Sequence, residues 1–262
     1  MAAGLPQSRI DTGKPHPARV YDYLLGGKDN YLVDQKVGEQ LPEAAKVSCR
    51  LNRDFMRRAC AWAAGIGIDQ YLDIGTGIPT APNLHQIVQE INPKARIVYA
   101  DNDPIVLSHA AALLVSKAEG ATDYIEADVR EPEVILDRAR GFLDFSRPVA
   151  LSLIALLHFL PDNQDPYGVT RTLVDALPSG SLLLLSHGTA DFLPAELSHK
   201  ITGTYRAGGM SLCARTRAEV ERFFDGLEMV APGLVSGPEW YKDTAAPVYE
   251  PNGVYAGVGR VR

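Results

Sequence analysis

Five short apolar runs, separated by four stretches with helical spacing, constrain this chain more than any other feature. They read QYLDIG, ARIVYAD, TDYIEAD, PVALSLIALL and SLLLLSH. Between them stand PNLHQIVQEI, with Leu84, Ile87, Val88 and Ile91 on one helical face, then DPIVLSHAAALL, PEVILDRAR and YGVTRTLVDAL. Strands that are apolar throughout have to be covered on both faces. Strands alternating with helices achieve this as a parallel sheet with a helical layer on each side. The closing segments APGLVSG and GVYAGVGRV have no strong helix between them and predict an antiparallel edge. The expected fold class is therefore α/β, with a doubly wound, mostly parallel seven-stranded sheet. Its ligand should lie at the carboxyl ends of the strands, near the point where the strand order reverses.

Upstream of the first strand the pattern is helical. Val20, Tyr23 and Leu24 share a face before Gly26 and Gly27 stop the repeat, and VSCRLNRDFMRRACAWAAG predicts a long helix ending near Gly65. The domain expectation is an N-terminal arm and helical cap over 1–64 and an α/β domain over 65–262. Residues 1 to about 17, rich in proline, glycine and polar side chains, should be mobile or held only by contacts. TRAEVERFF carries a capping box, Thr216 with Glu219 three places on.

The 262 residues carry a net charge of −6, and no run of basic residues is longer than two. Such a surface repels nucleic acid and anionic lipid, so neither is an expected partner. The three cysteines lack ligand spacing and read as free thiols, no His/Cys/Asp cluster predicts a metal, and no apolar run is long enough to span a bilayer. A cytoplasmic protein is the expectation.

The glycine loop after the first strand, YLDIGTGIPT, narrows the ligand. Gly75, Thr76 and Gly77 resemble the start of a dinucleotide loop, but Thr80 stands where a third glycine would be, and Asp73 precedes the glycines. A pyrophosphate on this turn would face that carboxylate. A like-charge pair at ~4 Å and an effective dielectric near ~20 costs about 4 kcal/mol. The same acid suits a nucleoside with a cationic end and no phosphate, and S-adenosylmethionine is such a molecule. Asp101, with Asn102 beside it, closes the second strand and is placed to accept ribose hydroxyls. Asp128 closes the third, where it could take an adenine amino hydrogen bond while Val129 offers its N–H.

With YLDIGTG, YADNDP, ADVRE and LIALLHFLPD in place, the chain resembles the class I S-adenosylmethionine-dependent methyltransferases across about residues 68–190. PARVYDYLLGGKDNY, NRDFMRRA and FFDGLEMVAPGLV extend the resemblance over the whole chain, to a family of uncharacterised methyltransferases. This implies a Rossmann-like domain, S-adenosyl-L-methionine as cofactor with S-adenosyl-L-homocysteine as product, and an acceptor the resemblance does not name. A small molecule is expected.

His158, after the fourth strand, and His187, after the fifth, are the candidate general bases. His85 and His109 read as surface residues, as do Arg57 and Arg58, while Arg53 could meet a carboxylate. The segment from Pro17 to Tyr31 is expected to close over the cofactor, with Tyr23 and Asn30 in contact and Gly26-Gly27 as a joint. An NAD(P)-dependent oxidoreductase and a non-catalytic module on the same fold are the alternatives.

Overall fold

The computed structural model describes residues 11–113, 116–241 and 252–262. The first ten residues of the N-terminal arm, and the last residue of the DPIVLSHAAALL helix, lie outside them.

Among the described residues a single sheet holds eight strands. They are β1 (Gln70–Ile74), β2 (Arg96–Asp101), β3 (Ala121–Glu126), β4 (Ala150–Ile154), β5 (Leu182–Gly188), β6 (Glu228–Met229), β7 (Val235–Ser236) and β8 (Val254–Arg260). Their order is β3-β2-β1-β4-β5-β8-β6, with β7 also paired to β8. The first five run parallel, and β8 is antiparallel to β5, β6 and β7. The antiparallel strand expected at the edge is thus inserted one place in, with two-residue strands outside it. After β1 the chain builds outward through β2 and β3, then returns to place β4 on the other side of β1. The reversal point lies between β1 and β4, where Asp73 pairs in register with Ser152.

Alternation along the strands divides the core into two layers. Leu72, Val98, Leu151 and Leu183 face one cluster, which takes in α6 (Pro132–Ala139) and α7 (Pro166–Asp175). Tyr71, Ile97, Ala150 and Leu182 face the other, against α3 (Glu43–Gly65) and α4 (Leu84–Ile91). α5 (Pro104–Leu113) joins β2 to β3. Within α4, Leu84, Ile87 and Val88 are buried as the spacing predicts, but Ile91, at the last turn, is half exposed. His85 is buried instead, because its Nδ1 and backbone N–H both meet the Tyr99 hydroxyl at 2.9 Å.

A third cluster joins α1 (Pro17–Leu24), α2 (Leu32–Gln40) and the first half of α3 to α8 (Ala195–Ala207) through Val20, Leu24, Val37, Cys49 and Tyr205. Neither α2 nor α8 is legible as a separate element in the pattern of apolar residues. The last helix, α9 (Arg217–Glu221), starts with the predicted Thr216–Glu219 capping box. The second half of α3 packs on the sheet, so a boundary after residue 64 cuts behind a helix common to cap and sheet. Arg58, expected on a solvated face, donates to the carbonyls of Trp240 and Gly237 and ties α3 to the C-terminal segment.

Candidate functional site

The glycine loop is shaped by the end of β2. Gly75 has φ +74°, a backbone angle that favours glycine, and a Cβ there would stand 2.7 Å from Leu156 Cδ1. The Gly77 N–H donates to Asp101 Oδ2 at 2.9 Å, and the Asp103 N–H donates to Asp101 Oδ1 at 2.9 Å. Two backbone donors therefore hold this carboxylate in place while lone pairs remain for a ligand. Burial raises the Asp101 carboxyl from its ordinary range, and those two donors pull it back.

Beyond it, Asp103 is gripped by Arg19 of α1, through Nε at 2.8 Å and Nη2 at 3.0 Å. Both side chains are almost fully buried. His16, the N-cap of α1, lies 3.3 Å from the same carboxylate, and its backbone N–H donates to Asp34 of α2. One run of bonds thus connects the loop after β1, the turn after β2 and the N-terminal segment.

Between these pieces lies a cavity of about 420 Å³. Asp73, Gly75, Thr76, Gly77, Asp101 and Asn102 line it, as do Asp128 and Val129. All eight strand-end residues singled out in the sequence are therefore brought together. Asp73 sits at the reversal point. Burial pushes its carboxyl up to about 6, Asp101 adds to this, and the Ser152 hydroxyl and the Arg53 charge oppose it. Asp128 lies two residues past the end of β3, not at it. Arg130 grips both its oxygens at 2.8 and 2.6 Å, Asn102 Nδ2 donates at 3.0 Å, and the carboxyl is held down to about 2.

Two expected contacts fall elsewhere. The Tyr23 ring packs against Gly38 of α2, where an added Cβ would meet it at 2.1 Å. Asn30 donates to Asp22 Oδ2 at 2.7 Å and to the Gly27 carbonyl at 3.0 Å, locking the turn after α1. Gly27 lies so close to the Asp22 carboxylate that a Cβ would stand 2.0 Å from it, so Gly26-Gly27 form a tight turn, not a joint. The N-terminal segment does border the cavity, but through His16, Pro17, Ala18 and Tyr21. Arg53 lines it as well, with Nη2 donating to the Thr80 and Pro82 carbonyls. Position in a helical repeat signals which face is apolar, and gives no sign that the polar edge of α1 turns toward strand ends beyond it.

A second cavity, of about 100 Å³, adjoins the first. Tyr21, Asn52, Ala155 and Phe159 border both. The strand expected through LIALL ends at Ile154, because Ala155 takes a left-handed φ of +55° and donates its N–H to Ser186 Oγ at 2.9 Å. Ser186 in turn donates to Asn52, and Asn52 to the Tyr21 hydroxyl at 2.9 Å. His158 and His187 line this second cavity. The Gly188 N–H donates to His158 Nδ1 at 3.1 Å, which puts the ring proton on Nε2. His187 Nε2 accepts from Arg215 Nη1 at 2.9 Å and its Nδ1 donates to the Gly188 carbonyl at 2.8 Å. Arg215 also donates to the carbonyls of Leu157 and Leu160 and to Asp162 Oδ1. Burial first, with Arg215's charge adding, drops the His158 imidazolium to about 3, and burial also lowers His187 well below its ordinary range. Both rings are neutral, and both nitrogens of His187 are committed within the protein. No group of three potential metal ligands occurs among the described residues.

Comparison with known proteins bears on this arrangement. The model of a family described as S-adenosyl methyltransferase matches residues 3–262. A DUF574 family protein from Streptomyces avermitilis is 47% identical, with 97% of this chain and 100% of that one covered and a TM-score of 0.92. A Thermobifida fusca protein, whose own assignment as a methyltransferase is provisional, is 38% identical over 99% and 100% of the two chains, with a TM-score of 0.85. The N-methyltransferase NodS of Bradyrhizobium japonicum, solved with S-adenosyl-L-homocysteine, shares the fold at 13% identity, over 93% and 98% of the chains, with a TM-score of 0.50. No curated protein matches the chain.

Proposed function

Because the chain belongs to the S-adenosyl methyltransferase family, we propose that its acid-lined cavity binds S-adenosyl-L-methionine and that the protein methylates a small molecule. The observation that carries the reading is that Asp73 and Arg53 both line the cavity beside the glycine loop, where the Arg53 charge acts on the Asp73 carboxyl. An amino-acid end carries one positive and one negative group, and these two side chains offer one partner to each. Asp101 would accept from the ribose hydroxyls with the lone pairs that Gly77 and Asp103 leave free. Asp128, Val129 and Asn102 would form the adenine end. A pyrophosphate gains nothing from Asp73, so the nicotinamide alternative is not favoured.

When bound, S-adenosyl-L-methionine supplies a methyl group already activated by its sulfonium. The protein's part is then to orient the acceptor and exclude water. Tyr21, Asn52 and Ala155, at the border of the two cavities, are the residues placed to do so. His187 is a positioning residue in this reading, since Arg215 and the Gly188 carbonyl occupy both its nitrogens. His158 acts as a donor through Nε2–H, because serving as a base at Nδ1 would break its bond from the Gly188 N–H. No helix among the described residues is long and apolar enough to cross a membrane. With the acidic net charge of −6, this supports a cytoplasmic enzyme that does not act on nucleic acid.

Calorimetry with S-adenosyl-L-homocysteine and with NADH tests the proposal. S-adenosyl-L-homocysteine should bind and NADH should not; the reverse preference would overturn it.

A further inference from the structure

The cavity beyond Tyr21 and Asn52 differs in kind from the one that holds the acids. No Asp, Glu, Lys or Arg lines it among the described residues. Its walls include Leu24 of α1, Ala45 of α3, Ile201 and Tyr205 of α8, and Leu212. Its ionisable groups are all neutral near pH 7. Burial pushes the Cys49 thiol up to about 12, raises the hydroxyls of Tyr21 and Tyr205 further, and leaves both imidazoles uncharged. An ion entering here would lose its hydration with no opposite charge to replace it.

Most of its polar side chains are already engaged. The Tyr21 hydroxyl donates to the Cys49 carbonyl at 3.0 Å, Ser48 Oγ to the Ala44 carbonyl at 2.7 Å, and Thr202 Oγ1 to the Ser198 carbonyl at 3.0 Å. His158 offers a ring donor fixed in direction. Its Nδ1 accepts from the Gly188 N–H, and Nε2, which carries the proton, makes no hydrogen bond to a described residue. A chamber with mostly apolar walls, no charge and a fixed ring donor selects by those three properties.

We infer that this chamber is the acceptor site, and that it takes an uncharged, mostly apolar small molecule carrying a hydrogen-bond acceptor, which meets His158 Nε2–H. The inference rests on the adjoining cavity being the cofactor site, since the two share Tyr21, Asn52, Ala155 and Phe159. Acetophenone, benzoate and benzylammonium share one ring and nearly one size, and differ in charge. Each is titrated by ligand-observed NMR at pH 7.5 into the full-length protein saturated with S-adenosyl-L-homocysteine. Acetophenone should bind at least tenfold tighter than either ion. Ile201→Trp and Thr202→Phe, both on α8 and both filling the chamber, should each weaken acetophenone at least tenfold and leave S-adenosyl-L-homocysteine within threefold of the wild type. Two variants guard against one that misfolds, and the unchanged S-adenosyl-L-homocysteine affinity certifies the fold. Equal or tighter binding of an ion, no binding of acetophenone, or retained acetophenone affinity in the filled variants would overturn the proposal. Should S-adenosyl-L-homocysteine itself not bind the wild type, the cofactor reading fails separately. The chamber is then judged on the acetophenone contrast alone.

Discussion

At the scale of single residues, Asp73 makes the sharpest demand. Its carboxyl is raised to about 6, chiefly by burial, so the free protein holds it protonated below that pH. A raised acid is ionised at the expense of folding stability as pH climbs from its ordinary value toward about 6. It therefore does not drive acid unfolding. It does govern the ligand, because a cationic group favours the carboxylate and has to displace the proton. S-adenosyl-L-methionine affinity should be level above about 6 and fall roughly tenfold for each further pH unit below it, as linkage to one proton requires. Asp73→Asn should bind more weakly at pH 8 and lose that slope. Calorimetry from pH 5 to 8 reads both, and a level wild-type profile would remove Asp73 from the cationic end. Asp101→Ala should cost on the order of 2 kcal/mol in S-adenosyl-L-homocysteine affinity, the usual size for a hydrogen bond to a charged group. Unchanged affinity in that variant would take the ribose away from Asp101.

Among elements, α1 decides whether the site is walled or open. Its hold on the sheet is the Arg19–Asp103 pair, nearly buried on both sides and bidentate. Removing one partner of such a pair leaves the other charge buried alone, at a cost of about 3–5 kcal/mol. Arg19→Met should therefore destabilise strongly in urea melts and weaken S-adenosyl-L-homocysteine binding. Arg19→Met with Asp103→Asn should recover much of the stability, since no bare charge then remains. A double variant no more stable than the single one would show that the pair acts by packing alone. The sequence announced the strands because each is a continuous apolar run, and it announced the acids because they stand at fixed places relative to those runs. Arg19 gave no such signal, since its partner lies 84 residues away and only the folded chain brings them together. Tyr23 and Asn30 misled for the same reason. Proximity to the glycine pair in sequence says nothing about which edge of α1 turns toward the strand ends, and Asp22 claims Asn30 instead. α8 was hidden because its side chains bury little, with Ser198 and Tyr205 its buried residues.

For the whole molecule, the acid-lined cavity is walled by the N-terminal cap and by the sheet, and α3 belongs to the cores of both. A ligand held between two such parts should stabilise them together. At 100 times its dissociation constant, S-adenosyl-L-homocysteine should add about 2.7 kcal/mol. For a chain of this size that corresponds to a rise in Tm of roughly 5–10 °C. The rise should come as one shifted transition in calorimetry, because cap and sheet share a helix. Hydrogen exchange should locate the effect. Amides of α1 from Val20 to Leu24 should gain protection alongside those of the glycine loop, even though the Tyr23 and Asn30 side chains point into the cap. A protein lacking residues 1–31 should bind the ligand more weakly, since His16, Ala18 and Tyr21 leave the wall with it. If truncation leaves affinity unchanged, and α1 exchanges at the same rate with and without ligand, the cap is a packing element only. The cofactor would then have to be held by the strand ends of the sheet alone.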